Sequence, residues 1–139
     1  GDVYKRQLLK RIDRIEAYKQ EVIPFEKART EAIRARIRES LAQLQTEVDN
    51  NRLEQEMIFY IEKLDVSEEK QRLAQHLSYF IDTMNGEKGQ GKKLGFIAQE
   101  MGREINTLGS KSNHADMQRL VVMMKDELEQ IKEQVLNVM

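Results

Sequence analysis

The stretch MQRLVVMMKDELEQIKEQVLNV, residues 117–138, determines the fold class that we expect for this chain. Its apolar residues follow one another at alternating steps of four and three: Met117, Val121, Met124, Leu128, Ile131, Val135 and Val138. This heptad spacing is typical of a helix that packs one apolar seam against a long neighbouring helix. The neighbour belongs either to the same chain or to another copy, and we expect an oligomer. Leu120 and Met123 lie outside the seam and would widen it into a second contact.

Apolar residues recur at three- and four-residue steps upstream as well, which predicts further helices. The first such face comprises Leu8, Ile12, Ile15, Tyr18 and Val22. Pro24 is expected to interrupt this helix, because proline lacks a backbone donor and restricts the residue before it. A second seam, flanked by Arg29, Arg34, Arg36 and Arg38, comprises Ile33, Ile37, Leu41, Leu44 and Val48. A third comprises Leu53, Met57, Tyr60, Ile61 and Leu64, and the pattern leaves open whether a break at Asn50-Asn51 separates it from the second.

Clearer signals bound two more helices. Asp65 and Glu68 have the spacing of a capping box, which predicts that a helix begins near Val66. That helix ends at NGEKGQG, residues 85–91, where three glycines supply a flexible loop, and the next helix covers 92–110. The predicted buried faces are Leu73, Leu77, Phe80 and Met84, then Leu94, Ile97, Met101, Ile105 and Leu108. Glycines stand seven apart in the later helix, either because another backbone approaches closely or by coincidence: Gly95, Gly102 and Gly109.

The composition of the 139 residues supports the same fold class. Hydrophobic residues make up 40% and charged residues 34%, which fits narrow apolar seams beside broad charged faces. We therefore predict an all-α fold of long antiparallel helices with coiled-coil packing and no sheet. The absence of cysteine excludes thiol catalysis and Cys-based zinc sites, and fits a reducing cytoplasm. No apolar stretch approaches the roughly 18–20 residues that span a bilayer, so a soluble cytoplasmic protein is expected.

The first seven residues, GDVYKRQ, resemble a translated sequencing-adapter sequence, the alternative being an ordinary polar tail. On the first interpretation the native protein continues upstream of Leu8. We therefore set this segment aside when predicting the fold. The expected organisation is a non-native leader at 1–7, a helical arm at 8–49 and a C-terminal helical domain at 50–139.

Several groups of polar residues are candidates for a binding or catalytic site. The segment from Gly86 to Lys93 nearly matches a phosphate-binding P-loop, but Lys93 replaces the required hydroxyl and the preceding segment reads as helix, so no nucleotide cofactor is expected. Residues 86–114 carry five cations and three anions, a local net charge of +2, which suits either a phosphate backbone or a solvated face. Acidic residues between 47 and 69, with Glu100 and Glu104, would suit Mg²⁺ or Mn²⁺, although paired glutamates are common on helices. His76 lies on an apolar face, where a core role is more frequent than catalysis.

Two stretches resemble the C-terminal domain of the YicC/YloC family of bacterial endoribonucleases. The first, residues 50–77, reads NNRLEQEMIFYIEKLDVSEEKQRLAQHL. The second, residues 91–138, contains the family's most specific pattern, QE-x-x-RE-x-NT-x-x-SKS at 99–112. Residues 8–49 resemble the preceding helical arm more loosely.

The resemblance implies an endoribonuclease that hydrolyses RNA phosphodiester bonds with a divalent metal cation (Mg or Mn), forms a ring-like homo-oligomer and lives in the bacterial cytoplasm. The family's polar signature maps onto Arg52, Glu54, Asp65, Glu69, His76, Gln99, Glu100, Arg103, Glu104, Asn106 and Lys111. We expect the catalytic residues to be Glu54, Asp65, His76, Glu100, Arg103 and Glu104, with Glu54, Asp65, Glu100 and Glu104 as metal ligands. RNA contacts are expected from Arg52, Lys92, Lys93, Arg103 and Lys111. Gly95 and Gly102 depart from the family, which usually has Asp and Asn there.

Two other functions stay open on the sequence. The first is a non-catalytic oligomerisation and RNA-clamping module whose cutting residues lie elsewhere in the full protein. The second is a purely structural coiled coil. RNA cleavage would indicate the endoribonuclease, and RNA binding without cleavage would indicate the clamping module. Neither activity would be expected of a purely structural coiled coil.

Overall fold

The computed structural model describes residues 2–44, 49–112 and 114–138. These residues form five α-helices and contain no strand: α1 (Asp2–Leu44), α2 (Asn50–Leu64), α3 (Ser67–Met84), α4 (Gly91–Ser110) and α5 (Ala115–Val138). The predicted all-α fold class is confirmed. Val48 and the side chains of Leu44 and Val138, which belong to the predicted seams, lie outside the described part. None of the described helices combines the length and apolarity needed to cross a membrane.

Helix α5 lies at the centre of the packing, because it contacts both α1 and α4, while α3 packs on α4 and to a smaller extent on α1. The predicted seam of α5 is buried from Met117 to Val135. Leu120 is also buried, and Met123 is half-buried, so the seam widens as predicted to serve two neighbours. The long partner of the seam is therefore provided by the same chain. A further oligomer stays a prediction.

The prediction that Pro24 interrupts the first helix is wrong. Helix α1 is continuous over 43 residues with Pro24 inside it. It also includes residues 2–7, which we did not expect to belong to the fold. A proline in a helix interior costs about 3 kcal/mol through its lost hydrogen bond and its ring clash. Contacts on both sides offset this cost: Val22 is buried in the core, and Glu26 pairs with Lys70 of α3 at 2.6 Å. Pro24 itself is exposed, so its ring displaces no core side chain.

Helices α1 and α2 are separate, which settles the question about the Asn50-Asn51 region. Asp49 caps α2, since its carboxylate accepts hydrogen bonds from the backbone N–H groups of Asn51 (3.0 Å) and Arg52 (3.2 Å). Met57 is the buried residue of this helix, whereas Ile58, Phe59 and Tyr60 are exposed. Helix α2 is therefore only lightly packed.

Helix α3 begins near Val66 as predicted, but the predicted capping box does not form. The Asp65 carboxylate accepts from the amide of Ser67 (3.0 Å) and from its hydroxyl (2.6 Å) instead of from the amide of Glu68. The Glu68 side chain turns outward and pairs with Arg72 at 3.0 Å. A short side-chain turn thus replaces the reciprocal box.

The glycines of α4 divide into two kinds. A Cβ at Gly102 or Gly109 would lie 3.1 Å from a methyl group of Leu128 or Val121, both on α5. Helix α5 therefore approaches closely at these two positions, but with its side chains, and not with its backbone as predicted. A Cβ at Gly95 would meet nothing within 4 Å.

Candidate functional site

One edge of the α3–α4 pair carries several of the polar side chains that the sequence analysis predicted as site residues. On each helix these residues recur at steps that fall on one helical face. We define the α3–α4 edge by Glu69, Arg72, His76 and Tyr79 on α3, by Lys93, Glu100 and Glu104 on α4, and by Lys111, which directly follows α4. The two helices run antiparallel, so residues from distant parts of the sequence lie side by side.

Three contacts cross this edge. Lys111 Nζ lies 2.8 Å from Glu69 Oε1, and Arg72 Nε lies 3.3 Å from Glu104 Oε2. At the other end, Lys93 Nζ lies 4.9 Å from the centre of the Tyr79 ring, a cation–π contact. The pairs 69–111, 72–104 and 79–93 establish the antiparallel register of the edge.

Two of the nominated carboxylates are engaged in holding the structure. Glu104 is buried and is bound by Arg72, which also reaches Glu68. Asp65 caps the start of α3, and the pKa of its carboxyl is lowered chiefly by the hydrogen bond from the Ser67 hydroxyl. Burial acts in the opposite direction, while the Ser67 amide, Lys70 and Lys111 lower that pKa further.

Lys111 is likewise engaged, at the junction of three helices. Its ammonium group donates to Glu69 and to the backbone carbonyl of Asp65 (3.1 Å). Glu69 is almost fully buried, and its second carboxylate oxygen has no hydrogen-bond partner within the described residues, so Lys111 is its main compensation. Since Lys111 is tied down in this way, it anchors the edge and is poorly suited to contact RNA.

Arg29 of α1 was not predicted as a site residue, yet it completes this junction. Its guanidinium donates one hydrogen bond to the carbonyl of Lys111 and another to the carbonyl of Leu64, both at 2.7 Å. These carbonyls lie at the C-terminal ends of α4 and α2, where backbone acceptors lack helical partners and the helix dipole is negative. The sequence marks Arg29 only as one of several cations beside an apolar seam, which is no signal for this role.

Glu100 and Arg103 differ from the engaged residues because they stay accessible. Glu100 Oε1 lies 3.7 Å from Arg103 Nη2 on the same helix, with side chains 26% and 74% exposed. Among the described residues, Glu100 makes no ion pair to another helix. Lys92 and Lys93 are exposed, and His76 is half-buried on the same edge. An accessible carboxylate beside accessible cations is an arrangement that suits the contact and hydrolysis of a phosphodiester.

The nominated residues of α2 lie apart from this edge. The Glu54 carboxylate is held by Arg34 and Arg38 of α1, and Arg52 pairs with Glu56 on its own helix, at 3.6 Å. The structure thus brings Glu100 and Glu104 together but directs Glu54 towards α1.

The four predicted metal ligands do not form a metal site within one chain. Over residues 2–44, 49–112 and 114–138, no group of three or more His, Asp or Glu side chains is arranged to hold a metal ion. Three of the four are also committed elsewhere: Glu54 to two arginines, Asp65 to Ser67, and Glu104 to Arg72. We therefore derive no reaction step through a metal ion.

Comparison with known proteins places this helical domain among proteins named as endoribonucleases. A family described as "Endoribonuclease YicC-like, C-terminal" matches residues 22–139. "Probable endoribonuclease YicC" of Clostridioides difficile (strain 630) is 32% identical over 141 residues, covering 99% of this chain and 48% of the relative. "Probable endoribonuclease YicC" of Haemophilus influenzae (strain ATCC 51907 / DSM 11121 / KW20 / Rd) is 38% identical over 104 residues, covering 75% and 36%.

The chain belongs to the YicC-like endoribonuclease family, as its resemblance over residues 50–77 and 91–138 predicted. It spans about half the length of the first of these relatives and about a third of the second.

Proposed function

We propose that this chain is the RNA-contacting helical part of a bacterial endoribonuclease, and that the α3–α4 edge takes part in phosphodiester hydrolysis. One observation carries the proposal: signature residues from two separate sequence blocks lie along one edge, where the partly exposed His76 and Glu100 lie beside exposed cations. The names of the two relatives support the nuclease class. We place the activity in the cytoplasm, in keeping with a chain that uses no cysteine.

Glu100 and Arg103 have the central roles in this proposal. Glu100 accepts a proton from the water that attacks the phosphorus, because it is the accessible carboxylate of the edge. As the new P–O bond forms, the P–O bond to one ribose oxygen breaks, and that oxygen leaves after taking up a proton. Arg103, next to it, stabilises the negative charge that develops on the phosphoryl oxygens. Lys92 and Lys93, about two helical turns before Glu100 on α4, contact the RNA backbone through their accessible ammonium groups.

Three other predicted site residues act indirectly, because they keep the helices in place. Glu104, Asp65 and Lys111 hold α3, α4 and the junction in register, so their replacement would lower activity through stability as well as geometry. His76 lies half-buried on the same edge, and we assign it an assisting role in proton transfer. Metal dependence and a ring-like homo-oligomer stay predictions from the family resemblance.

The decisive experiment incubates the purified chain with labelled RNA, with Mn²⁺, with Mg²⁺ and with a chelator. We expect cleavage that is lost in Glu100→Gln while RNA binding is retained. Glu56→Gln is the matched control, since Glu56 is also exposed and also pairs with an arginine on its own helix. If the chelator does not affect cleavage, the predicted metal dependence is wrong, but the proposed nuclease activity is not contradicted.

Two other outcomes would replace the proposal. RNA binding without cleavage under every condition would favour the non-catalytic clamping module. Neither binding nor cleavage would leave a structural coiled coil.

A further inference from the structure

A groove between α4 and α5 lies outside the α3–α4 edge and shares only Lys92 with the proposal above. It has a volume of about 470 Å³, within the range of small-molecule sites. Its principal lining residues are Lys92, Gly95, Phe96, Gln99, Lys132 and Leu136. We refer to it as the α4–α5 groove.

Gly95 keeps this groove open. At Gly102 and Gly109, side chains of α5 approach to 3.1 Å of the position that a Cβ would take, whereas the space above Gly95 is empty. Helix α5 therefore covers two of the three glycines and leaves the third accessible. Since glycine costs a helix interior about 1 kcal/mol relative to alanine, Gly95 exposes the groove floor at a cost in helix stability.

Phe96 supplies an exposed aromatic ring beside this floor. Its residue surface is 63% exposed, although a phenylalanine gains about 1.5–3 kcal/mol from full burial. Two other exposed aromatic rings are already in contact with a cation: Phe59 with Lys63 at 4.4 Å and Tyr79 with Lys93 at 4.9 Å. No such contact involves Phe96 within the described residues. Phe96 is also the most exposed aromatic residue of the chain, so its ring is available to stack with a ligand.

The charges around the groove indicate which ligand suits it. Two ammonium groups, Lys92 and Lys132, line it together with the amide of Gln99, and the described lining contains no carboxylate. Lys132 pairs with Glu129 only loosely, at 3.5 Å, and stays 40% exposed. A flat aromatic surface flanked by cations and one hydrogen-bonding amide is complementary to a nucleotide, whose base stacks and whose phosphates are anionic.

We propose that the α4–α5 groove binds single-stranded RNA by stacking one base against Phe96, with the adjoining phosphates contacting Lys92 and Lys132. This inference rests on the proposed RNA-directed function and adds a second contact region to it. Stacking on an aromatic ring tolerates any base, so the groove contributes affinity for unpaired RNA with little sequence preference. Lys92 lies at the start of α4, where the groove meets the end of the α3–α4 edge that contains Lys93. One RNA strand can therefore contact both the groove and the edge.

The test measures fluorescence anisotropy of a short labelled single-stranded oligouridylate in the presence of a chelator. Phe96→Ala is expected to weaken binding between about fivefold and a hundredfold, the range measured for loss of one stacked base. Phe96→Tyr keeps the ring and should bind like the parent chain. Phe59→Ala is the matched control, because Phe59 is 61% exposed and also near a lysine but lies on α2.

Salt dependence separates stacking from charge. Replacing Lys92 or Lys132 with alanine should reduce the slope of log affinity against log salt concentration by about 0.7 each for a single strand. Phe96→Ala should lower affinity while leaving that slope unchanged.

Three results would overturn the inference. If the parent chain binds RNA and Phe96→Ala binds equally well, or no worse than Phe59→Ala, the groove takes no base and the proposed function survives. If sedimentation shows that Phe96→Ala separates associated copies, the groove is covered by a second copy instead of RNA. If the parent chain binds no RNA at all, the proposed function itself fails.

Discussion

Arg29 illustrates, at the scale of a single residue, how one side chain can join three helices. It is buried, and its two hydrogen bonds connect α1 to the C-terminal ends of α2 and α4. A buried guanidinium is stabilised only when its donors are satisfied, and here two backbone carbonyls that need donors satisfy them. The residue therefore supports the junction next to the α3–α4 edge.

Arg29→Ala should lower the free energy of unfolding by about 2–4 kcal/mol, because two charged hydrogen bonds are lost and two part-buried carbonyls are left without these donors. Urea denaturation followed by circular dichroism measures this change. Arg36→Ala is the control, since Arg36 lies on the same helix but is exposed, and its effect should stay within about 0.5 kcal/mol. Equal effects of the two substitutions would show that Arg29 does not anchor the junction.

Asp65 makes part of the stability dependent on pH. Its pKa is lowered from 3.8, so the folded state favours the ionised carboxylate. The resulting stabilisation is fully present above the unfolded pKa and is lost as the pH falls through the lower folded pKa. The stability difference between the parent chain and Asp65→Asn should therefore be constant near neutral pH and shrink in the acid range below about pH 4.

Unfolding by urea at a series of pH values tests this expectation. Ser67→Ala provides a second arm, because it removes the hydroxyl that is the largest cause of the lowered pKa. In that variant the folded pKa lies closer to the unfolded value, so the acid loss of stability should be smaller and should be complete at a higher pH. A difference between the parent chain and Asp65→Asn that stays constant down to the lowest pH would contradict the assignment.

At the scale of helices, local spacing predicted the buried faces of α3, α4 and α5. The reason is that these helices bury one continuous stripe each, from Leu73 to Met84, Leu94 to Leu108 and Met117 to Val135. The prediction failed at Pro24, where a local rule met contacts from distant residues, including the Glu26–Lys70 pair. Tertiary packing commonly overrides local propensity in this way.

In the same way, the candidate site was predictable where its residues share one helix and not where it depends on distant residues. Glu100, Arg103 and Glu104 share α4, so helical spacing placed them together. Glu54 lies elsewhere because its position depends on Arg34 and Arg38, which are 20 and 16 residues away in the sequence. Such pairings leave no periodic signal, and neither does the pairing of Lys111 with Glu69.

Pro24→Ala should stabilise the chain, because it restores one backbone hydrogen bond within α1 and removes no buried side chain. The expected gain in the free energy of unfolding is about 1–3 kcal/mol, below the full helix-interior value since the surrounding helix has adapted to the proline. Thermal unfolding measures the change. Lys27→Ala, at another exposed position of α1, is the control and should have little effect. A lower melting temperature for Pro24→Ala would indicate that the proline fits a shape that the packing requires.

At the scale of the whole molecule, the helices are unequally stabilised. The first half of α1 shares one continuous core with α3, α4 and α5, from Leu8 through Val22 to Val135. Helix α2 is outside this core, burying Met57 while exposing three large apolar residues. Its attachment depends mainly on Arg29 and on the two arginines that bind Glu54.

Hydrogen exchange should therefore be faster for backbone amides of residues 50–64 than for those of α4 and α5. Helices with few buried contacts open with small free energies, whereas core helices approach the global free energy of unfolding. Mass spectrometry of peptides from each helix measures the difference. Protection of α2 equal to that of α5 would show that another surface covers it, as association between copies would.

The uninterrupted course of α1 has a geometric consequence. At about 1.5 Å per residue, its 43 residues extend roughly 65 Å, well beyond the core that holds its first half. The C-terminal end of α1, and any group attached to it, is thus held at a fixed distance and angle from the core. A single residue inserted after Arg29 would swing that end by about 100°, whereas a heptad would advance it by about 10 Å and leave its heading nearly unchanged. Natural changes in the length of this rod should therefore come in whole heptads.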